Sequence, residues 1–193
     1  RVWGSFPWAS AAAARGGRET CGPRVFQRVA RRVHGLGGWC VDCHLRVDNP
    51  VHHFPLIAGA GGDSVTFHYE AVDDVPATIA AAREHGLQVG VAFNPETEPE
   101  AVAKLAGGAD IVLCMSIHPG YSGQAFMPEA VERVARLRVG LPEAVHIQVD
   151  GGIDIDNIRS VYEAGATLFV AGSAVFDRED LPRSYRRLVH ALA

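Results

Sequence analysis

Six polar side chains recur at regular intervals from residue 44 onward, and their types suit acid–base or metal chemistry. Each closes or directly follows a short apolar run, and together they are His44, His68, Asn94, His118, Asp150 and Ser173. Taken singly, each has an ordinary explanation, because a lone histidine is commonly a satisfied, half-buried residue and Asp or Ser can cap a helix or close a turn. Their common phase favours one shared site over six unrelated explanations.

Three glycine-containing segments follow the last three apolar runs, and they read "PGYSGQ" (119–124), "VDGGI" (149–153) and "VAGSAVF" (170–176). Glycine permits a sharp bend and leaves the backbone N–H groups uncovered by side chains. Loops after the last two strands of a (β/α)₈ barrel commonly bind phosphate through such amides. The segments therefore predict a phosphate site, which needs no Lys or Arg. For "PGYSGQ" alone, an ordinary strand-to-helix turn is the alternative.

Short apolar runs alternate with helix-like segments, which predicts a parallel sheet with helices outside it. The predicted strands are 39–45, 64–71, 87–93, 110–117, 144–150 and 167–174, and the predicted helices are 75–86, 98–108, 127–138 and 153–165. The helices are expected to end at Gly86, Gly107 and Gly165 as left-handed caps. Strand ends recur about every 25 residues, which fits an α/β fold of the (β/α)₈ TIM-barrel class, incomplete at its N-terminus, with six recognisable units. An open doubly wound sheet is the rival, but no G-x-G-x-x-G follows the first strand.

The first 38 residues differ from the rest, since they are rich in Arg, Ala and Gly and include one acidic residue, Glu19. We therefore divide the chain into an atypical N-terminal segment, 1–38, and a phosphate-binding barrel domain, 39–193. No clear strand is predicted in 1–38. The chain begins with Arg, so a fragment or processed product is expected, and the acid-poor start permits a remnant of an organelle transit peptide. The expected localisation is cytoplasmic, and organelle targeting by this segment is the alternative.

Composition excludes several classes of protein. With 193 residues, 48% hydrophobic and 21% charged, the chain suits one globular core. A net charge of −4 gives no reason to expect a nucleic-acid partner, and no apolar run approaches the roughly 20 residues that span a bilayer. Cys40 and Cys43 form a C-x-x-C, which we interpret as two strand residues because no second Cys/His pair at zinc spacing follows.

Five segments in order resemble the ribulose-phosphate 3-epimerase family over about residues 39–180. They are "VDCHLRVDNP", "VTFHYEA", "MSIHPGYSGQAFMPE", "VDGGI" and "AGSAVF". The resemblance implies a (β/α)₈ barrel that interconverts ribulose 5-phosphate and xylulose 5-phosphate, so the expected partner is a phosphorylated pentulose. It also implies a divalent metal cation, with Zn, Fe, Mn and Co not distinguished by the sequence.

The resemblance assigns roles to individual residues. His44 and Asp150 would be metal ligands and would touch the substrate, and Asp150 would also be a catalytic acid/base group. Asp42 would orient His44, and His68 lies on the same rim. The phosphate and neighbouring hydroxyls would be held by Gly120, Tyr121, Ser122, Gly123, Gly151, Gly152, Gly172 and Ser173.

Part of the family pattern is not recognisable. The family carries a second catalytic Asp two residues after a metal-binding His, on the strand before "DCHL", and no Asp precedes Asp42. Arg46 stands where the family usually has Met. Two hypotheses follow, an epimerase with a missing or altered N-terminal quarter, or a phosphosugar-binding homologue without the second acid/base group. Uncovered sheet edges would invite a homo-oligomer or aggregation, unless residues 1–38 cover them, for example by a helix over 23–35.

Overall fold

The computed structural model describes residues 8–13, 40–118 and 124–192, with only the backbone described for 8–13. In these ranges, strands and helices alternate along the chain. The strands are β1 (Trp8–Ala13), β2 (Cys40–Leu45), β3 (Ser64–His68), β4 (Gln88–Phe93), β5 (Ile111–Met115), β6 (His146–Asp150) and β7 (Leu168–Val170). The helices are α1 (Phe54–Gly59), α2 (Val75–Glu84), α3 (Pro99–Leu105), α4 (Glu129–Gly140), α5 (Ile158–Glu163), α6 (Ser173–Phe176) and α7 (Leu181–Leu192). Short 3₁₀ helices cover Pro50–His53 and Tyr69–Ala71.

The predicted fold class is confirmed, since the strands pair in parallel and helices connect them, as in the TIM-barrel class. The chain forms two compact units, Arg1–Val91 and Ala92–Ala193, which we describe in turn. The predicted division after residue 38 stays a prediction. No helix in the described ranges is both long and apolar enough to cross a membrane.

In the first unit, β2 pairs in parallel with both β1 and β3. The backbone N–H of Gln88, at the start of β4, donates to the Asp63 carbonyl over 2.9 Å. All of β3 is buried, and Val65, Phe67 and Val89 are each 0% exposed. Strands covered on both faces explain the continuous apolar character of these runs.

Strand β1 corrects the expectation that residues 1–38 contain no clear strand. Its sequence, WASAAA, is Ala-rich and by propensity favours a helix. The backbone is nevertheless paired along its length with β2, from Trp8 opposite Cys40 to Ala13 opposite Leu45. Pairing with a neighbouring strand overrides local propensity, because the backbone gains the hydrogen bonds of the sheet. The side-chain pattern of a single segment does not indicate such pairing. The helix predicted over 23–35 lies outside the described residues.

In the second unit, β6 pairs in parallel with β5 and β7. Its core includes Val112, Ile147 and Val149, each 0% exposed. Helix α4 contributes Arg133, which is 8% exposed and lies with its guanidinium carbon 4.8 Å from the centre of the Phe93 ring. A cation over an aromatic face is stabilised by the ring quadrupole, which lets this buried charge pack against the core.

The guanidinium of Arg133 also donates to three backbone carbonyls. The acceptors are Met115 at 3.2 Å, Asn94 at 2.6 Å and Thr97 at 3.1 Å. These carbonyls belong to the end of β5 and to the segment that follows β4. Arg133 therefore fixes the chain directly after two strands, which is where the sequence predicts functional loops.

Two of the three predicted glycine caps are confirmed. Gly86, after α2, has φ 74°, and Gly165, after α5, has φ 114°. The prediction for Gly107 is wrong, because α3 already ends at Leu105 and is capped by Ala106, whose N–H donates to the Val102 carbonyl. A right-handed turn closed by Ala106 leaves no left-handed position for Gly107 to fill.

Candidate functional site

A buried polar network centred on Asp42 lies between β2 and β3 of the first unit. Its carboxylate accepts hydrogen bonds from the Ser64 hydroxyl at 2.7 Å and from the Thr66 hydroxyl, which lies 3.1 Å from both carboxylate oxygens. All three side chains are buried, at 2%, 0% and 0% exposure. The interior position raises the pKa of Asp42, while the two hydroxyl donors act in the opposite direction. These bonds tie β2 to β3.

Gly90 on β4 makes room for this network. A Cβ at Gly90 would lie only 2.3 Å from the Thr66 hydroxyl oxygen. The absence of a side chain at this position therefore allows Thr66 to reach Asp42. The local sequence around Gly90 does not indicate that a residue without a side chain is needed there.

Two imidazoles face each other beyond this network, at the ends of β2 and β3. The Nε2 atoms of His44 and His68 lie 2.9 Å apart, and the rings are nearly parallel with centroids 5.0 Å apart. The Nδ1 of His68 is 3.3 Å from Glu70 Oε2. Because a carboxylate accepts and does not donate when ionised, this contact favours the proton on Nδ1 of His68 and leaves its Nε2 lone pair directed at His44.

His44 is held in its neutral form. Burial lowers its pKa to about 3, with further contributions from neighbouring His68 and from the positive charge of Arg46. A neutral imidazole is the form that can bind a metal ion. The side chain of Arg46 is half-buried, and its Nε has no hydrogen-bond partner among the described residues.

The prediction that Asp42 orients His44 is wrong. Asp42 and His44 share one face of β2, as expected for residues two apart, but the Asp42 carboxylate bonds to Ser64 and Thr66 instead. Adjacent strands lie about 4.8 Å apart, whereas residues i and i+2 on one strand are about 6.6 Å apart. The nearer partners across the sheet therefore take the carboxylate. Sequence reasoning missed Ser64 and Thr66, and the only signal for them is their position opposite Asp42 and His44.

In the second unit, Asp150 closes β6 and is followed by a tight glycine turn. Gly151 has φ 127° and Gly152 has φ 64°, in the range that favours glycine. A Cβ at Gly152 would lie 2.5 Å from the Phe126 nitrogen, and one at Gly151 would lie 2.7 Å from Ile117. The turn therefore packs directly against residues on both sides of the predicted loop at 119–124.

Ser116 joins the same two segments. Its backbone N–H donates to the Asp150 carbonyl at 2.9 Å, and its hydroxyl lies 2.6 Å from the Gly151 carbonyl and 3.0 Å from that of Asp150. The N–H of Met127 donates to the Ser116 carbonyl at 3.0 Å, which closes the loop at its base. The residues on either side of 119–123 are thus held beside the turn that follows β6, and Ser116, which makes these contacts, is a further residue that sequence reasoning missed.

Of the remaining predicted phosphate-binding positions, the structure describes Gly172 and Ser173. Gly172 precedes α6 with an ordinary φ of −88°, and Ser173 begins that helix. A Cβ at Gly172 would meet no atom of the described residues within 4 Å, so they leave its backbone open to approach. Gly120, Tyr121, Ser122 and Gly123 lie outside the described residues.

Among the other strand-end residues, His118 is exposed and its Nδ1 lies 2.7 Å from Glu96 Oε1. Asn94 follows β4, and its carbonyl accepts a hydrogen bond from Arg133.

The cysteines of the C-x-x-C pair are not reactive nucleophiles in this environment. At Cys40, burial and then the nearby Asp63 and Asp42 raise the pKa of the thiol to about 12. Cys43 is buried on β2.

Among the described side chains, no group of three or more His, Cys, Asp and Glu residues is arranged to hold a metal ion. The first unit supplies two buried imidazole nitrogens, Nε2 of His44 and of His68, which lie at hydrogen-bonding distance from each other. Imidazole nitrogen is an ordinary ligand for zinc, iron and related metals.

Parallel β/α units, with polar side chains at the strand ends of the first unit and a glycine-rich turn after a strand of the second, are typical of the TIM-barrel class of enzymes. Residues 19–176 match the model of the Ribulose-phosphate 3 epimerase family, and the chain belongs to this family. It is thus an epimerase-type isomerase by descent, as the sequence predicted.

The similar curated proteins belong to the same family. The ribulose-phosphate 3-epimerase of Escherichia coli strain K12 is 35% identical over 164 residues, covering 83% of this chain and 72% of that protein. Ribulose-phosphate 3-epimerase 2 of Cupriavidus necator is 39% identical over 180 residues, covering 90% and 73%.

Solved structures support the fold alone. KGPDC from Streptococcus mutans aligns with a TM-score of 0.72 at 14% identity, covering 96% of this chain and 84% of that one. A 3-hexulose-6-phosphate synthase aligns with a TM-score of 0.69 at 20% identity, covering 88% and 81%.

Proposed function

We propose that the chain acts on D-ribulose 5-phosphate and D-xylulose 5-phosphate and moves a proton at C3 of the sugar. The observation that carries this proposal is the position of Asp150, a carboxylate on the last residue of β6, directly before the Gly151–Gly152 turn. The turn is fixed by its packing against Ile117 and Phe126. A carboxylate on so constrained a backbone is well suited to positioned proton transfer.

Proton removal next to a carbonyl leaves negative charge on the enediolate oxygens. A divalent cation, when bound, supplies an electrophile for that charge. His44 would bind it through Nε2 in its neutral form, and Asp150 remains a predicted ligand as well as an acid/base group. Imidazole and carboxylate donors alone do not select among Zn, Fe, Mn and Co.

The substrate's phosphate is proposed to lie against backbone amides. Gly151, Gly152, Gly172 and Ser173 offer this backbone in the described part of the chain, and Gly120 to Gly123 remain predicted partners. The open surroundings of Gly172 support the proposal, because an anion can approach its N–H without displacing a side chain.

One observation favours the second candidate function, a phosphosugar-binding protein that exchanges the C3 proton without inverting the centre. Inversion needs acid/base groups on both faces of C3. By resemblance, the second Asp belongs on the strand beside β2, and the strand paired there is β1, whose sequence WASAAA has neither carboxylate nor imidazole. We therefore expect very slow epimerisation beside measurable exchange.

The test compares the parent chain with Asp150→Asn, using exposed Asp156→Asn as the matched control. Epimerisation is followed by a coupled assay for xylulose 5-phosphate, and exchange by incorporation of solvent deuterium at C3, observed by NMR. Asp150→Asn should lower exchange by about 10²–10⁴-fold, while Asp156→Asn should not. Exchange that survives in Asp150→Asn would disprove the role of Asp150. Full-speed epimerisation by the parent would eliminate the second candidate.

A further inference from the structure

Helix α7, at the end of the second unit, carries an apolar surface that stays largely exposed. One side of the helix packs against α5, and Leu188 is buried at 6% exposure. Leu181, Tyr185 and Val189 are 41%, 62% and 47% exposed. Because they recur every four residues, they form one row along the helix, about 12 Å long at 1.5 Å per residue. We call these three side chains the α7 stripe.

The exposed apolar side chains are concentrated in this region. Among the described residues, ten large hydrophobic side chains are exposed, and four of them lie between positions 176 and 189. The fourth is Phe176, which is 72% exposed and shortly precedes the α7 stripe. Single exposed apolar side chains are normal on a protein surface, whereas a contiguous group indicates an interaction surface.

Charge is divided along the same part of the chain. The turn 177–180 reads "DRED", with three acidic residues and one arginine, whereas the helix 181–192 has three arginines and no acidic residue. Asp180 accepts a hydrogen bond from the Arg183 N–H at 2.9 Å and so caps the helix. Glu179 and Arg186 are exposed and form no ion pair within the part of the chain that the structure describes. An acidic end and a basic helix therefore flank the α7 stripe.

We propose that the α7 stripe binds a second copy of this chain, whose own α7 lies antiparallel against it. With a two-fold axis at Tyr185, Leu181 of each copy meets Val189 of the other. Glu179 then lies opposite the C-terminal half of the other helix, about 7.5 Å along the axis from Arg186, which two extended side chains can span. A parallel pair would instead place acidic turn against acidic turn and arginine against arginine. Charge therefore favours the antiparallel pair.

Two other occupants of the α7 stripe match its charges less well. The segment 23–35 has four arginines and no acidic residue, so it offers nothing to balance the arginines of α7. An anionic membrane surface would attract those arginines but repel the acidic turn before them. A second copy supplies apolar surface together with both signs of charge. The proposal is independent of the reaction proposed above.

The experiment is sedimentation velocity of the full chain over a range of concentrations. A contact made by one helix pair belongs to the smallest class of interfaces, so association is weak, and we expect a dissociation constant of about 10–100 µM. Tyr185→Ser should weaken the dimer at least about tenfold, because each dimer loses two aromatic contacts. Val139→Ser, at a 90% exposed position on α4, is the matched control and should leave the constant unchanged. A monomer at all concentrations, with or without binding to phosphatidylserine vesicles, would overturn the proposal.

Charge reversal tests the antiparallel arrangement directly. Glu179→Arg and Arg186→Glu each bring like charges together, and each should weaken the dimer by about threefold to tenfold at low salt. The double variant restores opposite charges with reversed sign, so its dissociation constant should return to within about twofold of the parent's. Both positions are exposed, so the variants should fold as the parent does. Dissociation constants equal to the parent's in both single variants, or an unchanged dimer in Tyr185→Ser, would contradict the proposal.

Discussion

The polar groups along β2 and β3 of the first unit are buried side chains, whereas the distinctive feature at the end of β6 in the second unit is the backbone of its glycine turn. On β2 and β3, five polar side chains are buried, namely Asp42, His44, Ser64, Thr66 and His68. In the second, the turn after Asp150 consists of two glycines with positive φ, and the nearby polar side chains of Ser116 and Arg133 bind backbone carbonyls.

This difference separates two ways of building a site. A buried side-chain network depends on the identity and hydrogen bonding of each group, because an unsatisfied polar atom in the interior is expensive. A glycine turn depends on the absence of Cβ atoms, since it needs unusual φ values and close contact between chain segments. Substitutions should therefore act through polarity and hydrogen bonding in the first unit and through space in the second.

The largest effect is expected from Gly152→Ala. A side chain would have to adopt φ 64° and place its Cβ 2.5 Å from the Phe126 nitrogen. We expect a loss of about 3 kcal/mol in the free energy of unfolding, from the left-handed conformation and the clash together. Urea denaturation measures it. Gly172→Ala is the matched control and should change stability by less than about 0.5 kcal/mol. Equal losses in both variants would refute the crowding argument.

A steric effect of similar kind tests the side-chain network. Gly90→Ala would place a Cβ 2.3 Å from the Thr66 hydroxyl, which must then move and weaken its bond to Asp42. We expect a loss of about 2 kcal/mol in the free energy of unfolding. In a double-mutant cycle with Thr66→Ala, the two losses should be less than additive by about 1 kcal/mol. Additive losses would show that Gly90 does not act through Thr66.

Gly172→Val should leave the fold intact but weaken binding of ribulose 5-phosphate and of inorganic phosphate. Its surroundings are open and its φ is ordinary, so the valine obstructs only an approaching ligand. We expect roughly tenfold weaker binding, equivalent to about 1.4 kcal/mol, measured by isothermal titration. Gly108→Val, at an equally open position before β5, is the control. An unchanged affinity in Gly172→Val would remove Gly172 from the phosphate site.

The smallest effect is expected from Arg46→Met. The positive charge of Arg46 acts on His44, so its removal should favour a bound cation. Affinity for Zn²⁺ should rise by roughly twofold to tenfold at low ionic strength, and the gain should shrink as salt screens the charge. Calorimetry at two salt concentrations measures both. The exposed Arg83→Met is the control, and a weaker affinity in Arg46→Met would show that Arg46 supports the site.

The sequence by itself determined the alternation of strands and helices and the positions at which strands end. Those features depend on the local spacing of apolar residues and on glycines at the ends of helices and in turns. Both can be recognised without knowing which segments are adjacent in the fold. The order of "VDCHL", "VDGGI" and "AGSAVF" along the chain is also sufficient to indicate the family. The same local pattern places His44 and Asp150 at strand ends.

Only the tertiary structure decided which side chains meet. The register of β2 against β3 gives Asp42 to Ser64 and Thr66, and the 2.9 Å approach of His68 to His44 follows from two strands whose sequences lie 24 residues apart. Strand β1 exists through pairing with β2 in spite of its Ala-rich sequence. Cross-strand contacts depend on register, and register is set by packing of the whole sheet, so no local pattern of residues encodes them.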